Sequence, residues 1–308
     1  MPTGSPQAIV PGVWSLGMTF GESSSLTNCY IIRGQTGLSI VDPGFFSADN
    51  CDRLEAGLSE LGFSWAHVDG IYATHLHIDH IGMTPWLSER TGIRVALHSA
   101  DAKDVVTSEY RARFSEPAGQ LSVMFGVPDA EFERVGNLRN LAVEQGPEGV
   151  RTFDEAGPFD LDGVPVDLIP TPGHTRGHAC MVIHQEGLVL TGDHILEGMR
   201  PGVGLGLVRE SNPVADYLVS LETMSQFDDY TALPGHGEVF GPLGPRRARL
   251  AELLQERIAQ VRDVAGEGMS VWEVAKRLSW SRDFESMTGV RLRSALTQTD
   301  LLVRYIRA

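Results

Sequence analysis

Short apolar runs punctuated by glycine, proline, aspartate and histidine dominate the first three quarters of the chain. Asn28-Cys29-Tyr30-Ile31-Ile32-Arg33 and Leu38-Ser39-Ile40-Val41, joined by Gly34-Gln35-Thr36-Gly37, read as a hairpin. Val68 to Ala73, Arg94 to His98, Val166 to Ile169, Ala179 to Ile183, Gly187 to Leu190 and the run ending at Ala232-Leu233 read as further strands. Helical spacing appears between them. Ser47 is placed to cap a helix carrying Leu54, Leu58 and Leu61 on one face, with Gly62 ending it, and Asn212-Pro213 starts another with Val214, Tyr217, Leu218 and Leu221 aligned. The segment from Ser99 to Gln145 is mainly helical in pattern, with Phe132, Val135, Leu138 and Leu141 or Ala142 on one face. An insertion of this kind serves as a lid or a pocket wall. Tyr110, Met124 and Phe125 can line such a pocket or belong to plain core.

Beyond about Gly241 strands give way to helices. Leu250, Leu254, Ile258, Val261 and Ala265 define a long amphipathic helix, Ser270-Val271-Trp272-Glu273 is a capping box for a second, and Val290 to Arg307 supports a third. The third would bury Leu292, Leu296 and Leu302 against the core or against a second copy of the chain, which leaves a homodimer open.

Composition narrows the class without altering this pattern. With 308 residues, 42% hydrophobic and 21% charged, the chain has the make-up of a soluble globular protein and room for one large domain or two. No apolar run approaches the roughly 20 residues that a membrane helix needs, and no basic segment precedes an apolar one at the start, so no membrane is expected and the cytoplasm is the default compartment. Cys29, Cys51 and Cys180 form no Cys-x-x-Cys pair and are read as buried, inert thiols. The 25 Lys and Arg against 40 Asp and Glu leave a formal charge of -15, which argues against nucleic acid as a partner.

The chemistry sits where strands stop. Thr74-His75-Leu76-His77-Ile78-Asp79-His80 packs three imidazoles and a carboxylate into seven residues after the Val68 strand. In extended backbone, residues i and i+2 point the same way, so His75 and His77 can share one ion while Asp79 and His80 turn towards a second. Thr171-Pro172-Gly173-His174-Thr175-Arg176-Gly177-His178 is a tight loop that displays at least one histidine. His174 is the better ligand candidate, and His178 either orients another group or is a hydrogen-bonded core residue. Asp193, in Thr191-Gly192-Asp193-His194, offers two oxygens with which to bridge two cations. His236 is presented by Pro234-Gly235-His236-Gly237. Asp42 ends a buried strand and reads equally as a support for the ligands or as a turn former. Seven of the ten histidines lie in these four segments, which points to one shared site. Gly202-Val203-Gly204-Leu205-Gly206 lacks the spacing of a nucleotide-binding turn and reads as a flexible loop near that site.

Taken together, His-x-His-x-Asp-His, Gly-His-Thr-x-Gly-His, Gly-Asp-His and Pro-Gly-His-Gly, in this order, resemble the metallo-β-lactamase-fold hydrolase superfamily over roughly residues 8 to 242. The resemblance implies an α/β protein, an αββα metallo-β-lactamase sandwich with its site at one edge of two sheets. It implies that His75, His77 and His174 hold one metal, that Asp79, His80 and His236 hold the other, and that Asp193 bridges them. Histidine where some members have cysteine, with Asp79 among the ligands, is similar to the thioesterase, lactonase and nuclease branches, including the glyoxalase II-like one. Residues 1–242 would then form the catalytic domain. Residues 243–308 would form a small helical extension, similar to the winged-helix-like tail of the branch that includes β-lactamase-like protein 2, an RNA nuclease, with any β-wing short or absent.

Two divalent cations, Zn²⁺ first and Fe or Mn as alternatives, would lower the pKa of a bridging water from about 15.7 towards about 7, with Asp79 orienting it and returning a proton to the leaving group. The expected substrate is a small ester, thioester or lactone. A phosphodiesterase or nuclease of the same fold is the alternative, and a non-hydrolytic metal-binding or di-iron redox protein a second one. Arg246 and Arg247 are the nearest basic residues for a glutathione carboxylate, but they fit a solvated helix start better, so glutathione is not expected.

Overall fold

The computed structural model describes residues 4–20, 26–106, 118–136, 150–153, 157–205 and 211–308. Its elements in chain order are β1 (Gln7–Val10), β2 (Val13–Thr19), β3 (Leu26–Arg33), β4 (Leu38–Val41), α1 (Ala48–Glu60), β5 (Val68–Tyr72), α2 (Ile78–Ile81) and α3 (Thr84–Thr91). There follow β6 (Ala96–His98), α4 (Ser99–Val106), α5 (Ala118–Phe125), α6 (Phe132–Val135), β7 (Arg151–Phe153), β8 (Gly157–Leu161), β9 (Val164–Pro170), β10 (Ala179–Ile183) and β11 (Leu188–Gly192). Last come α7 (Pro213–Thr223), β12 (Thr231–Pro234), α8 (Leu243–Val264), α9 (Val271–Arg277) and α10 (Gly289–Arg307). Tyr110, Leu138, Leu141, Ala142 and Gly206, all part of the sequence expectations, lie outside the described residues.

The strands form two sheets, one in the order β1-β2-β3-β4-β5-β6-β7 and one in the order β12-β11-β10-β9-β8. Side-chain alternation decides which face each residue covers. In β3, Tyr30 and Ile32 point into the space between the sheets, where they meet Met181, Ile183, Leu190 and Leu233, while Cys29 and Ile31 point outward beneath α1, α3 and α4. In β10, Cys180 and Val182 face away from the sandwich and pack under α7 and α8. Helices therefore cover both outer faces, giving the αββα layering. All three cysteines are buried and free, and burial pushes the Cys180 thiol up to about 12.

Local signals set the ends of these elements. Ser47 caps α1 by accepting from the Asn50 amide, Leu54 and Leu58 face the core, and Gly62 follows the helix at φ 81°. At the end remote from the histidine loops, Asp162 in the β8–β9 turn accepts from the Thr36 amide (2.6 Å), the Gly37 amide (2.7 Å) and the Thr36 hydroxyl (2.8 Å). One turn thereby clamps the other across the two sheets.

The tail packs within the chain. Leu292, Ala295 and Leu296 of α10 meet Trp272, Phe284 and Met287, and also Phe125, Val127 and Val135 of the insertion. Leu301, Leu302 and Val303 close over Ile258 and Val261 of α8 and Val214 of α7. Phe125 is thus core rather than pocket wall, whereas Met124 stays exposed. Burying a Leu side chain of this kind contributes ~1.5–3 kcal/mol, so these clusters hold the tail in place. Among the described residues no strand follows β12.

Candidate metal centre

The predicted residues meet at one edge of the sandwich. The loop after β5 delivers His75 and His77 to the same side, and α2 begins at once, with the His80 amide bonded to the His77 carbonyl at 2.9 Å. His75 Nε2 and His174 Nε2 each lie 2.9 Å from His77 Nδ1. His174 comes from the loop after β9, Asp193 directly follows β11, and His236 follows β12. Asp193 Oδ2 is 3.5 Å from His174 Nε2, while Asp193 Oδ1 is 3.6 Å from both His80 Nε2 and His236 Nε2. Asp79 Oδ2 is 3.3 Å from His236 Nε2 and 4.0 Å from His80 Nε2. Two sets of donor atoms result, each within 4.8 Å: His75, His77, His174 and Asp193 in one, and Asp79, His80 and His236 in the other.

Hydrogen bonds at the far side of each ring fix which nitrogen is free. His174 Nδ1 donates to the Gly202 carbonyl (2.6 Å) and His236 Nδ1 donates to the Leu26 carbonyl (2.9 Å), so both present a bare Nε2 to the centre. The Thr74 hydroxyl donates to Asp42 (2.8 Å) and so receives the His75 Nδ1 proton (3.0 Å), which frees His75 Nε2 in the same way. Asp42 also accepts from the Thr74 amide and lies 3.1 Å from His80 Nδ1, with its backbone held at φ 52°. A non-glycine residue in that region is strained, and here it supports a ligand loop instead of turning a solvated corner. His178 is a neighbour of the donor sets, not a member. Its Nε2 accepts the Asp193 amide (3.1 Å), so its Nδ1 carries the proton and donates to Thr171 (2.8 Å). His194 is buried against the Tyr217 ring at 4.9 Å and belongs to neither donor set.

The electrostatics separate the two sets. Burial, reinforced by the other imidazoles, pushes His77 down to about 3 and lowers His75 and His174 as well. These rings are neutral and ready to donate lone pairs. At His80 burial pulls the same way, but Asp42, Asp79 and Asp193 outweigh it and raise the ring to about 10. A field that favours a proton there favours a metal cation for the same reason. The buried His80 Nε2 and Asp193 Oδ1 have no hydrogen-bond partner among the described residues. Orphaned polar atoms at full burial cost about 1–3 kcal/mol each, and a cation between them removes that cost. The residues present therefore fit divalent metal.

Backbone economy makes the convergence possible. A Cβ on Gly235 would stand 2.5 Å from Asp193 Oδ1, and Gly192, at φ 47°, would bring one within 2.6 Å of His178 Nε2 and the Thr74 hydroxyl. Only glycine lets these loops approach the ligands and the residues behind them so closely. Asn28, at the start of β3, donates its side-chain amide to the Pro234 and Gly237 carbonyls at 2.9 Å, which stitches the His236 loop to the opposite sheet.

One important residue escapes the sequence reading. Asp101, buried in the first turn of α4, accepts from the Leu76 amide (3.0 Å), the Thr175 hydroxyl (2.7 Å) and the Gly177 amide (2.5 Å). It joins the His75–His77 loop to the His174 loop. Burial pushes its carboxyl up to about 7 while the three donors pull the other way. In sequence it is an ordinary acidic residue in a helix first turn, and nothing local marks it. Arg246 and Arg247 depart from the solvated helix start expected of them. Arg246 donates to the Leu196 and Met199 carbonyls, and Arg247 grips Asp228 with two bonds of 2.6 and 2.8 Å.

Known proteins resemble this chain in sequence and in fold. The chain is 24% identical over 216 residues to hydroxyacylglutathione hydrolase GloC of Haemophilus influenzae, covering 68% of this chain and 85% of that one. It is 24% identical over 260 residues to a probable metallo-hydrolase, YqjP, of Bacillus subtilis, covering 81% and 79%. A crystal structure of a metallo-β-lactamase family protein from Thermus thermophilus superposes with a TM-score of 0.79 at 27% identity, covering 97% of this chain and 94% of that one. Residues 25–236 match the family model of the metallo-β-lactamase superfamily, and so this chain belongs to that superfamily and to its metal-dependent hydrolases.

Proposed function

We propose that the protein is a binuclear metal-dependent hydrolase of a small carboxylic ester, thioester or lactone. The observation that carries this reading is Asp193, which turns one oxygen to each donor set and is orphaned on the second side. His75, His77 and His174 would hold one cation and Asp79, His80 and His236 the other, with Asp193 reaching both. Zn²⁺ suits a set of imidazoles and carboxylates, and Fe or Mn would be accepted by the same donors. Two bound divalent cations supply Lewis-acid polarisation of a substrate oxygen and a water whose pKa falls from about 15.7 to about 7.

The chain's own contribution is placement. Thr74, Gly202 and Leu26 lock three imidazoles in one tautomer, so no ring must turn during the reaction. Asp79 is held below the usual carboxylate range, since its histidine neighbours, His80 first among them, overcome the opposing effect of burial. It stays ionised at neutral pH and so can accept a proton from water and pass it to the leaving group. The likeness to an enzyme named for hydrolysing an acyl group carried on glutathione supports acyl over phosphoryl substrates.

The test is metal analysis of the purified protein together with turnover of a panel of thioesters, lactones, β-lactams and phosphodiesters. Bound divalent metal near two equivalents and turnover of acyl substrates is the expected result. Turnover confined to phosphodiesters would replace this reading with a nuclease or phosphodiesterase, and a metal-loaded protein inert to all four classes would replace it with a binding or redox role.

A further inference from the structure

Between α8, α10, the segment 279–282 and the loop 198–203 lies a cavity of about 990 Å³, within the range of small-molecule sites. Four separate stretches of chain each contribute one arginine to it: Arg200, Arg257, Arg282 and Arg291. Among the described residues no aspartate or glutamate lines it, in a chain where acidic residues outnumber basic ones by 40 to 25. Arg257 is half-buried and its described partners are neutral: the Gln260 side chain at 2.9 Å, the Ser279 carbonyl at 2.7 Å and the Trp280 ring at 4.0 Å. Burial, together with the charge of Arg200, lowers it to about 10. Gathered cations repel one another, and an anion between them turns that repulsion into attraction. The rest of the lining is largely apolar, including Val203, Leu254, Trp280 and Leu301.

We propose that this cavity binds an organic phosphate, with its phosphate or diphosphate among the four arginines and its apolar body against Trp280, Leu254 and Leu301. Arginine suits phosphate because its planar fork donates two parallel hydrogen bonds, and four such groups exceed what one carboxylate neutralises. A polymer of phosphates fits less well: outside the cavity it would meet a molecule of net charge -15, whereas a small anion keeps its charge inside. The loop that forms one wall also carries Gly202, whose carbonyl fixes the His174 ring, while the amides of Gly204 and Leu205 bond the carbonyls of Gly173 and His174. An occupant therefore rests on the segment that orients a metal-facing histidine.

Calorimetric titration of the metal-loaded full chain with 1-naphthylphosphonate, beside inorganic phosphate and 1-naphthol, tests the site. The phosphonate should bind, inorganic phosphate more weakly, and 1-naphthol least. Arg282→Gln and Arg291→Gln, both at exposed positions, should each weaken phosphonate binding about tenfold, as expected for losing a charge-assisted contact, with metal content unchanged. Arg257→Gln should weaken it at least as much. Undiminished affinity in all three variants would place the anion elsewhere, at the metal centre for example, and overturn the proposal. Tighter binding of a single-stranded oligoribonucleotide, steeply salt-dependent and lost in the same variants, would overturn it in favour of a nucleic-acid groove.

Discussion

At the sheet edge Asp42, Asp79 and Asp193 lie against histidines and Asp101 ties two histidine loops together, so every one of them has a hydrogen bond or a charge partner. In the cavity under the tail four arginines from four stretches of chain line one space without one carboxylate among the described lining residues. Both regions gather like charges, but they fix them differently. The edge uses backbone amides and carbonyls at strand ends, where a few residues of chain place several side chains at once. The cavity uses side chains from positions 200, 257, 282 and 291, brought together only when α8, α9 and α10 fold over the loop after β11. Electrostatic design at the edge is therefore local and stiff, and in the tail it depends on long-range packing.

The sharpest way to separate the two regions is to remove residues 268–308. That deletion uncovers Val214, Ile258 and Val261 together with Phe125, Val127 and Val135. The truncated protein should aggregate, because the deletion strips the cover from two apolar clusters at once. Size-exclusion chromatography checks this, and a soluble monomer with intact metal binding would show that the tail is an independent module. The milder Leu296→Ala should cost ~2–5 kcal/mol in chemical denaturation, the range for emptying a fully buried leucine site.

At the edge, Asp79→Asn should leave the fold and its melting curve near those of the parent while turnover falls by about 10² or more, the usual loss for a positioned acid or base. Steady-state kinetics on the best acyl substrate decides it. An unchanged rate would make Asp79 a bystander to the chemistry. Asp101→Asn puts an amide NH₂ where three donors now converge, so the two ligand loops should separate slightly. Metal affinity should fall about 10–100-fold, as for other groups that orient ligands, and competition with a chelator measures it.

Much of this division was visible in the amino-acid order. The strands that lead into histidine or aspartate were legible because each joins an apolar run to a polar segment dense in possible ligands, as at Val68 to His80, or to a glycine turn, as at Ala232 to His236. β2 gave no such signal. Trp14, Leu16 and Met18 face the helices in alternation with Ser15, Gly17 and Thr19, but the strand ends in neither histidine nor aspartate. Asp101 and the four cavity arginines were illegible for a different reason: their partners are far away in sequence, and each looks like a solvated charge by itself. Arg246 and Arg247 misled in the same way, since nothing near them in the chain announces the Leu196 carbonyl or Asp228.

The smallest predicted effect lies at the end of the sandwich remote from both sites. Asp162 is held below its ordinary value of 3.8 by the Gly37 and Thr36 amides, then by the Thr36 hydroxyl. A carboxylate with a depressed folded-state pKa contributes stability above its unfolded value and loses it as pH falls through the folded one. Asp162→Asn should therefore lower Tm at pH 7 only slightly, on the order of 1–2 °C for a surface turn, and the gap to the parent should close below about pH 4. Thermal melts at pH 7 and pH 3 check the sign.

The claim that the edge holds two cations is tested most directly by a crystal structure with anomalous diffraction recorded at the absorption edge of the metal found in the purified protein. Two peaks per chain should appear, one bounded by His75, His77 and His174 and one by Asp79, His80 and His236, with Asp193 facing both. A single peak, or peaks away from these side chains, would contradict the account.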